Sequence, residues 1–329
     1  MHHNRFDSHR LCIAPMLDWT DRHARFFLRL ISPHARLYTE MVTSNAIIHG
    51  DAERHLAFDH REKPLALQLG GSQPEQLYRA CRIAGNYPYD EINLNVGCPS
   101  DRVQSGRFGA CLMADPALVA DCVKAMQQGS DCPITVKCRI GIDEQDDMAF
   151  LQQFIETVSQ SGCNTFIIHA RKAWLSGLSP KENREIPPLH YHRVYAIKQH
   201  FPALNIVING GITDARQSLA HLAHCDGVMI GREAYQNPYH LCQQEALLFG
   251  NNHCPGRRQI ADAMLPYIEQ QLQAGARLHH ITRHMLGLFA GQPGGKAFRR
   301  YLSQHAHRAD AGPDTLLQAL ALVHDSSSL

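Results

Sequence analysis

Several side chains that could do chemistry follow short apolar runs, at the points where the chain would leave a strand. The most informative stretch is 93–100, NLNVGCPS, in which the thiol of Cys98 directly follows a glycine. A thiol whose pKa stays near the reference value of about 8.5 can act as an acid at neutral pH, whereas a strongly lowered pKa makes it a nucleophile. The residues alone leave both chemistries open for Cys98.

Other polar side chains recur at the same kind of position, and Lys137 is the most unusual of them. A lysine in an apolar strand is costly unless it is paired or has a task. A fixed cation beside a flavin ring stabilises the reduced anion, so Lys137 is a candidate for that role. Gln68 and His169 could bond the same ring, although a lone polar residue in a core is more often structural.

Two glycine clusters also end apolar runs. Asn209, Gly210 and Gly211 follow one run, and Gly231 with Arg232 follow the next. Glycines let backbone N–H groups approach a phosphate, and Arg232 adds a positive charge. Either cluster alone could be a turn, but on adjacent strands they predict a phosphate site.

These residues need elements to position them, and eight short apolar runs alternate with segments of helical character. The runs are 11–17, 35–42, 65–71, 91–98, 134–140, 165–171, 205–212 and 227–233. The clearest helical segments are 74–84, 117–127, 148–160, 192–200 and 214–223. Eight such units predict an α/β fold, a (β/α)8 TIM barrel. A doubly wound open sheet is disfavoured, because the first run ends APMLD instead of in a glycine-rich turn.

The remaining sequence predicts two long loops and a second domain. Loops 99–115 and 172–189 would rim the barrel mouth. Apolar residues at helical spacing over 258–289, a break at 291–295 and renewed spacing over 296–305 predict an all-helical C-terminal domain. We therefore predict a barrel domain over 1–250 and a helical domain over 251–329. The stretch 277–308 holds six Lys or Arg and no acid, which suits either a polyanion surface or a solvated helix face.

Composition sets the cellular context. The 329 residues are 44% hydrophobic and 19% charged, as in a soluble globular protein. No apolar leader or membrane-length run occurs, and the 11 cysteines form no CxxC pair. We expect free thiols, a cytoplasmic protein and no metal site.

The motifs together resemble the tRNA-dihydrouridine synthase family. The likeness starts from the NLNVGCPS stretch and extends through APM at 14–16, QLGG at 68–71, NGG at 209–211 and GR at 231–232. The loop over 170–184, ARKAWLSGLSPKENR, is similar to the A-type subfamily. The resemblance covers the barrel and continues into the helical tail.

The resemblance implies FMN at the barrel mouth, NADPH as its reductant, and D-loop uridines U20 and U20a of tRNA as substrate. Cys98 would give the proton to C5 of the uracil. The implied cofactor residues are Pro15, Met16, Gln68, Lys137, His169, Asn209, Gly210, Gly211, Gly231 and Arg232. The implied substrate or tRNA residues are Asn95, Arg171, Lys172, Arg184, Lys296, Arg299 and Arg300. The D-arm of tRNA is the expected partner, and no membrane or obligate protein partner is implied.

The sequence departs from the subfamily at Lys296 and Phe298, where Arg and Trp are common. Lysine keeps the charge but loses the planar guanidinium, so the assignment of the uridine position is weakened. Two alternatives remain: an FMN barrel enzyme acting on a free pyrimidine, such as a dihydroorotate or dihydropyrimidine dehydrogenase, and a non-catalytic flavin- or tRNA-binding protein.

Overall fold

The computed structural model describes residues 9–100 and 106–323, and its centre is a barrel of eight parallel strands. The strands are β1 (Leu11–Ile13), β2 (Leu37–Thr43), β3 (Leu65–Gly70), β4 (Glu91–Val96), β5 (Ile134–Arg139), β6 (Thr165–His169), β7 (Asn205–Asn209) and β8 (Gly227–Ile230). Neighbours from β2 to β8 pair in sequence order, and β8 pairs with β1. The Ile13 N–H donates to the Arg36 carbonyl at 2.9 Å and closes the ring. The predicted (β/α)8 barrel is confirmed.

The outward face of the strands is apolar, whereas the inward face carries more polar side chains than the largely apolar sequence of the strands suggests. Side chains alternate between faces along a strand, so Ile92 and Leu94 of β4 point into the layer under the helices. Glu91, Asn93 and Asn95 alternate with them and are buried inside the barrel. The barrel interior is therefore partly polar from its floor to its mouth.

Within residues 9–100 and 106–323, ten α-helices pack around the barrel and follow its strands. They are α1 (Arg22–Ile31), α2 (Ser44–His49), α3 (Ala52–Leu56), α4 (Pro74–Ala84), α5 (Pro116–Gly129), α6 (Met148–Ser159), α7 (Tyr191–His200), α8 (Ala215–Leu222), α9 (Arg232–Gln236) and α10 (Leu241–Phe249). Helix α4 has its predicted bounds, and α5 begins as expected with Asp115 accepting from the Leu118 N–H and Pro116 in the first turn.

The described part of each long loop contains a 3-10 helix. The segment after β4 ends in a 3-10 helix over Gly109–Ala114, while residues 101–105 of the predicted loop lie outside the described residues. The segment after β6 contains a 3-10 helix over Glu182–Arg184. Both loops leave carboxyl ends of strands, so they rim the barrel mouth as predicted.

Up to residue 323, where the described part of the chain ends, further α-helices follow the barrel: α11 (Arg257–Ala263), α12 (Leu265–Gln273), α13 (Leu278–Thr282), α14 (Gly295–His305) and α15 (Pro313–Leu320). The predicted break at 291–295 is present, with Gly294 at φ 80°. Tyr267 of α12 stacks on Phe26 of α1 at 3.9 Å, which fixes these helices against the barrel. The C-terminal helices are confirmed, and the division at 250 stays a prediction.

The cysteines differ from expectation at one pair. Cys242 of α10 and Cys254 form a disulfide, with 5.4 Å between their Cα atoms. Gly250 ends α10 in the left-handed conformation, which turns the chain so that Cys254 returns to the helix. The prediction of free thiols is wrong for this pair and holds for the other nine cysteines.

Among the helices in 9–100 and 106–323, none is long and apolar enough to cross a membrane.

Candidate active site

The predicted thiol, that of Cys98, lies on a turn at the barrel mouth. The side chain of Asn95 holds this turn in place. The Oδ1 atom of Asn95 accepts from the backbone N–H groups of Gly97 and Cys98 at 3.1 and 3.0 Å. The Cys98 carbonyl accepts from the Ala110 N–H at 2.9 Å, which ties the turn to the loop after β4. The Cys98 side chain is half-buried, and its Sγ lies 3.5 Å from the hydroxyl of Ser100. The turn thus presents a free thiol to the mouth.

Asn95 is the upper end of a chain of buried polar side chains. Its Nδ2 donates to Gln68 Oε1 at 2.9 Å, and Gln68 Nε2 donates to Asn93 Oδ1 at 2.8 Å. Asn93 Nδ2 then donates to the hydroxyl of Thr135 at 2.8 Å, and that hydroxyl donates to Glu91 at 2.6 Å. We name Glu91, Thr135, Asn93, Gln68 and Asn95 the barrel relay. The predicted site residues Gln68 and Asn95 therefore belong to one network.

The floor of the relay is a charged carboxylate. Burial alone would raise the pKa of Glu91, but the charge and hydrogen bond of His9 and the charge of Arg36 outweigh it and lower the pKa to about 2. His9 Nε2 lies 2.6 Å from Glu91 Oε2, and the hydroxyl of Tyr38 donates to Oε1 at 2.9 Å. Glu91 is thus fully ionised at neutral pH.

Lys137 reaches the mouth from β5, and the hydrogen-bond partner of its ammonium group among the described residues is a neutral amide oxygen. Its Nζ donates to Asn209 Oδ1 at 3.2 Å, and Asn209 Nδ2 donates to the Met229 carbonyl at 2.8 Å. Burial and then the charge of Arg139 lower the pKa of Lys137 to about 8. A group with that pKa is still mainly cationic at pH 7, so it is a positive charge available to an anionic ligand.

His169 lies at the end of β6, beside the predicted phosphate cluster. Burial, and then the charges of Arg139 and Lys137, lower the pKa of His169 well below its usual value. The ring is therefore neutral at pH 7 and can offer one donor and one acceptor. A Cβ added to Gly210 would come within 2.8 Å of the His169 ring, so the ring needs glycine at 210.

The predicted phosphate glycines have the geometry that the prediction requires. Gly210 and Gly211 have φ of 124° and 69°, a backbone region that L side chains rarely adopt. Within the part of the chain that the structure describes, the backbone N–H groups of Gly210, Gly211 and Gly231 donate to no protein acceptor. These three donors lie on adjacent strand ends, β7 and β8.

The arginines around this cluster contact the loop after β6. Arg232 Nη1 lies 2.6 Å from the carboxylate of Glu185. Arg171 donates to the carbonyls of Pro187 and, at 3.3 Å, Glu185. Arg184 is exposed on the same loop, and burial of part of its side chain together with the charge of Arg232 lowers its pKa. The loop therefore brings three predicted cations to one rim.

Lys172 is engaged in contacts with the segment after β5. Its Nζ donates to the Asp143 carbonyl at 2.9 Å and lies 3.3 Å from Asp146. The ammonium group also sits 4.1 Å from the centre of the Trp174 ring. These contacts assign Lys172 to holding the loop after β6 in this structure.

Pro15 and Met16 follow β1. The Met16 side chain packs on the interior cluster that includes Ala14 and Met229. The Met16 N–H donates to the hydroxyl of Thr20 at 2.9 Å, so the turn is fixed by its own chain. Both residues lie at the mouth, as predicted.

The sequence places Arg139 with Lys137 at the end of β5 but predicts no role for it. It is 4% exposed, and its guanidinium donates to the carbonyls of Gly97 at 3.1 Å, Asn183 at 3.0 Å and Lys172 at 3.3 Å. One side chain thus joins the Cys98 turn to the loop after β6. Its position two residues beyond Lys137 on the same strand face was the signal that could have found it.

The predicted tRNA residues of the tail lie on helix α14, away from the strand ends. Lys296, Arg299 and Arg300 are exposed, whereas Phe298 is fully buried against Phe289 at 4.8 Å between ring centres. The ring at 298 is therefore a core residue of the helical domain. Arg283, from the same acid-free stretch, pairs with Asp21 of the barrel at 2.7 Å and belongs to the junction.

The barrel, the phosphate-type glycines and the half-buried thiol beside buried cations define the class: a TIM-barrel enzyme whose site is at the carboxyl ends of its strands. The family description "Dihydrouridine synthase (Dus)" matches residues 12–324. The chain belongs to the dihydrouridine synthase family, and it is an oxidoreductase.

Three similar proteins cover nearly the whole chain. The tRNA-dihydrouridine(20/20a) synthase of Shewanella oneidensis is 64% identical over 94% of this chain and 93% of its own. Those of Salmonella typhimurium and Vibrio parahaemolyticus are 60% and 59% identical, over 97% and 95% of this chain and 96% and 97% of their own.

Proposed function

We propose that the protein reduces the C5–C6 double bond of U20 and U20a in the D-loop of tRNA, giving 5,6-dihydrouridine in the cytoplasm. The names of the similar proteins support the substrate and the two positions. When bound, FMN reduced by NADPH supplies a hydride to C6 of the uracil. The observation that carries the proposal is the free, half-buried Cys98 thiol on a turn that Asn95 holds at the mouth.

The residues at the mouth fit the flavin. The unused N–H groups of Gly210, Gly211 and Gly231 suit its phosphate, and Arg232 would complete that site by exchanging Glu185 for the phosphate. Lys137 would face the pyrimidine edge of the ring, because a cation there favours the reduced, anionic form. Gln68, His169 and Asn209, also at strand ends, would offer hydrogen bonds to the ring.

Cys98 would transfer the proton that completes the reduction. A hydride at C6 leaves negative charge at C5, and the thiol gives its Sγ proton to that carbon. Asn95 holds the turn that carries the thiol. The exposed Lys296, Arg299 and Arg300 would contact phosphates of the tRNA, since an exposed arginine or lysine on a helix is a phosphate-binding group.

The test is the dihydrouridine content of unmodified tRNA after incubation with the purified protein and NADPH. New dihydrouridine confined to positions 20 and 20a supports the proposal. Cys98→Ala should keep FMN and its reduction by NADPH but lose about 10²-fold or more of tRNA turnover. Cys111→Ala, which removes the half-buried thiol bonded to the Phe108 carbonyl, is the matched control and should be unaffected.

Two results would redirect the proposal. A flavin-loaded protein that consumes NADPH with free uracil but leaves tRNA uridines intact is a small-molecule flavoenzyme. A Cys98→Ala protein that modifies tRNA at the normal rate removes the thiol from the proton transfer.

A further inference from the structure

The barrel relay has only one possible arrangement of its hydrogen atoms. Glu91 is a carboxylate, so it can only accept, and the single proton of the Thr135 hydroxyl is used on it at 2.6 Å. Asn93 must then turn its N–H toward Thr135 and its oxygen toward Gln68. The same logic makes Gln68 Nε2 a donor to Asn93 and Gln68 Oε1 an acceptor from Asn95.

The hydrogen bonds at the upper end of the barrel relay require the same donor-to-acceptor direction, and they do so independently of Glu91. Backbone N–H groups can only donate, so the two that meet Asn95 require its oxygen, and its amide nitrogen must face Gln68. The carboxylate at the floor and the N–H groups at the mouth therefore agree across three side-chain amides. Each amide is buried, with exposures of 0% for Asn93, 1% for Gln68 and 9% for Asn95. A flip of any one would place like groups against each other.

This fixed direction limits what the mouth can offer to a ligand. The Oε1 atom of Gln68 accepts from Asn95 and Nε2 donates to Asn93, so Gln68 keeps its second N–H and one lone pair. Asn95 uses its oxygen on the Cys98 turn and likewise keeps one N–H. Each residue thus keeps an N–H donor, which suits carbonyl oxygens such as those of a flavin or a uracil ring, and the oxygen of Asn95 has both lone pairs in use.

We propose that Thr135 and Asn93 are positioning residues of the reaction, which act through Gln68 and Asn95 to hold the Cys98 turn and to present N–H donors at the mouth. The role of Cys98 as the acid rests on the proposed function. The claim that the hydroxyl of Thr135 supports the Cys98 turn, four hydrogen bonds away, does not rest on the proposed function.

The experiment uses the FMN-loaded full chain with Thr135→Val and Thr135→Ser. Valine has the shape of threonine but removes the hydroxyl, while serine keeps it. After anaerobic reduction by NADPH, the rate at which tRNA reoxidises the flavin should fall about tenfold in the valine variant, the loss expected for one buried hydrogen bond. The serine variant should stay within about twofold of the wild type.

The reactivity of Cys98 gives a second readout that needs no tRNA. The rate at which iodoacetamide alkylates Cys98 should rise at least threefold in Thr135→Val, because a loosened turn exposes the thiol, and return to the wild-type rate in Thr135→Ser. Cys132, which lies before β5 and outside the relay, is the internal control. Asn93→Ser, too short to join Gln68 to Thr135, cuts the relay one step higher and serves if the valine variant does not fold.

The outcomes separate the two proposals. If the valine variant is less stable but has wild-type flavin reoxidation and wild-type Cys98 alkylation, the relay is only structural and the inference is overturned. If the wild type makes no dihydrouridine, the proposed function fails, and the alkylation rates still decide whether the relay positions the turn.

Discussion

Replacing Lys137 by methionine should make the folded protein more stable while it damages the site. Its ammonium group is largely buried, and its partner is the amide of Asn209 at 3.2 Å and not a carboxylate. The lowered pKa, from 10.5 to about 8, measures how much the folded state disfavours the charge. At about 1.4 kcal/mol for each unit, the penalty at pH 7 is about 3 kcal/mol.

Two effects reduce the gain from removing that charge. Lys137 is partly exposed at the mouth, and solvent screening brings the penalty to about 2 kcal/mol. Methionine also loses the hydrogen bond to Asn209, which is worth about 1 kcal/mol. The methionine variant should therefore be more stable than the wild type by about 1 kcal/mol at pH 7.

The dependence on pH has a definite sign. Below pH 8 both the folded and the unfolded lysine carry the proton, so the whole penalty is present. Between pH 8 and 10.5 the folded state loses the proton first, so the wild type gains stability relative to the variant as the pH rises. The advantage of methionine should shrink through this range.

Urea unfolding of the flavin-free protein at pH 7 and pH 9.5 measures both quantities. Lys124→Met is the control, because Lys124 is exposed on α5 with a loose 3.7 Å contact to Asp121 and should change little at either pH. A methionine variant at 137 that is less stable than the wild type at pH 7, or whose advantage does not change with pH, would refute the reasoning. Its rate of flavin reduction by NADPH should be much lower than that of the wild type.

Two further predictions concern the charged rims. Arg300→Glu should weaken tRNA binding at low salt without loss of FMN, because Arg300 is exposed on α14 and a reversed charge repels phosphate; equal affinities in a filter-binding assay would contradict this role. Glu185→Gln should raise FMN affinity by up to about fivefold, since it frees Arg232 from a half-exposed ion pair worth about 1 kcal/mol or less. Fluorescence titration measures that affinity, and an unchanged value would mean that Glu185 does not compete with the phosphate.

The sequence predicts the barrel well because the outward faces of the strands are continuous apolar surface. It also places the mouth residues, since any side chain at the carboxyl end of a barrel strand faces the same side. Gln68, Lys137, His169 and Cys98 come together for that reason alone. The fold and the location of the site are thus consequences of strand order.

The contacts within the site are harder to predict. The alternation in EINLN at 91–95 could have revealed the polar inner face of β4, but it was interpreted as part of an apolar run. Loop contacts have no such signal, because nothing in the spacing of Lys172 and Asp146, or of Arg232 and Glu185, says which cation meets which acid. Those pairs depend on the path of a loop that has no repeating pattern.

The buried charges at the two ends of the barrel differ in whether an opposite charge compensates them. This difference connects the stability of the fold with ligand binding. At the floor, Glu91 is compensated by His9 and Arg36. At the mouth, neither Lys137 nor Arg139 has a carboxylate within ion-pair distance among the described residues, and burial lowers the pKa of each, to about 8 and about 10. An anion bound there would remove this unfavourable energy, so the folded protein gains stability when an anionic ligand binds. Under the proposed function, a reduced flavin beside Lys137 would be such an anion, and the unfavourable burial of these two cations would favour the reduced cofactor.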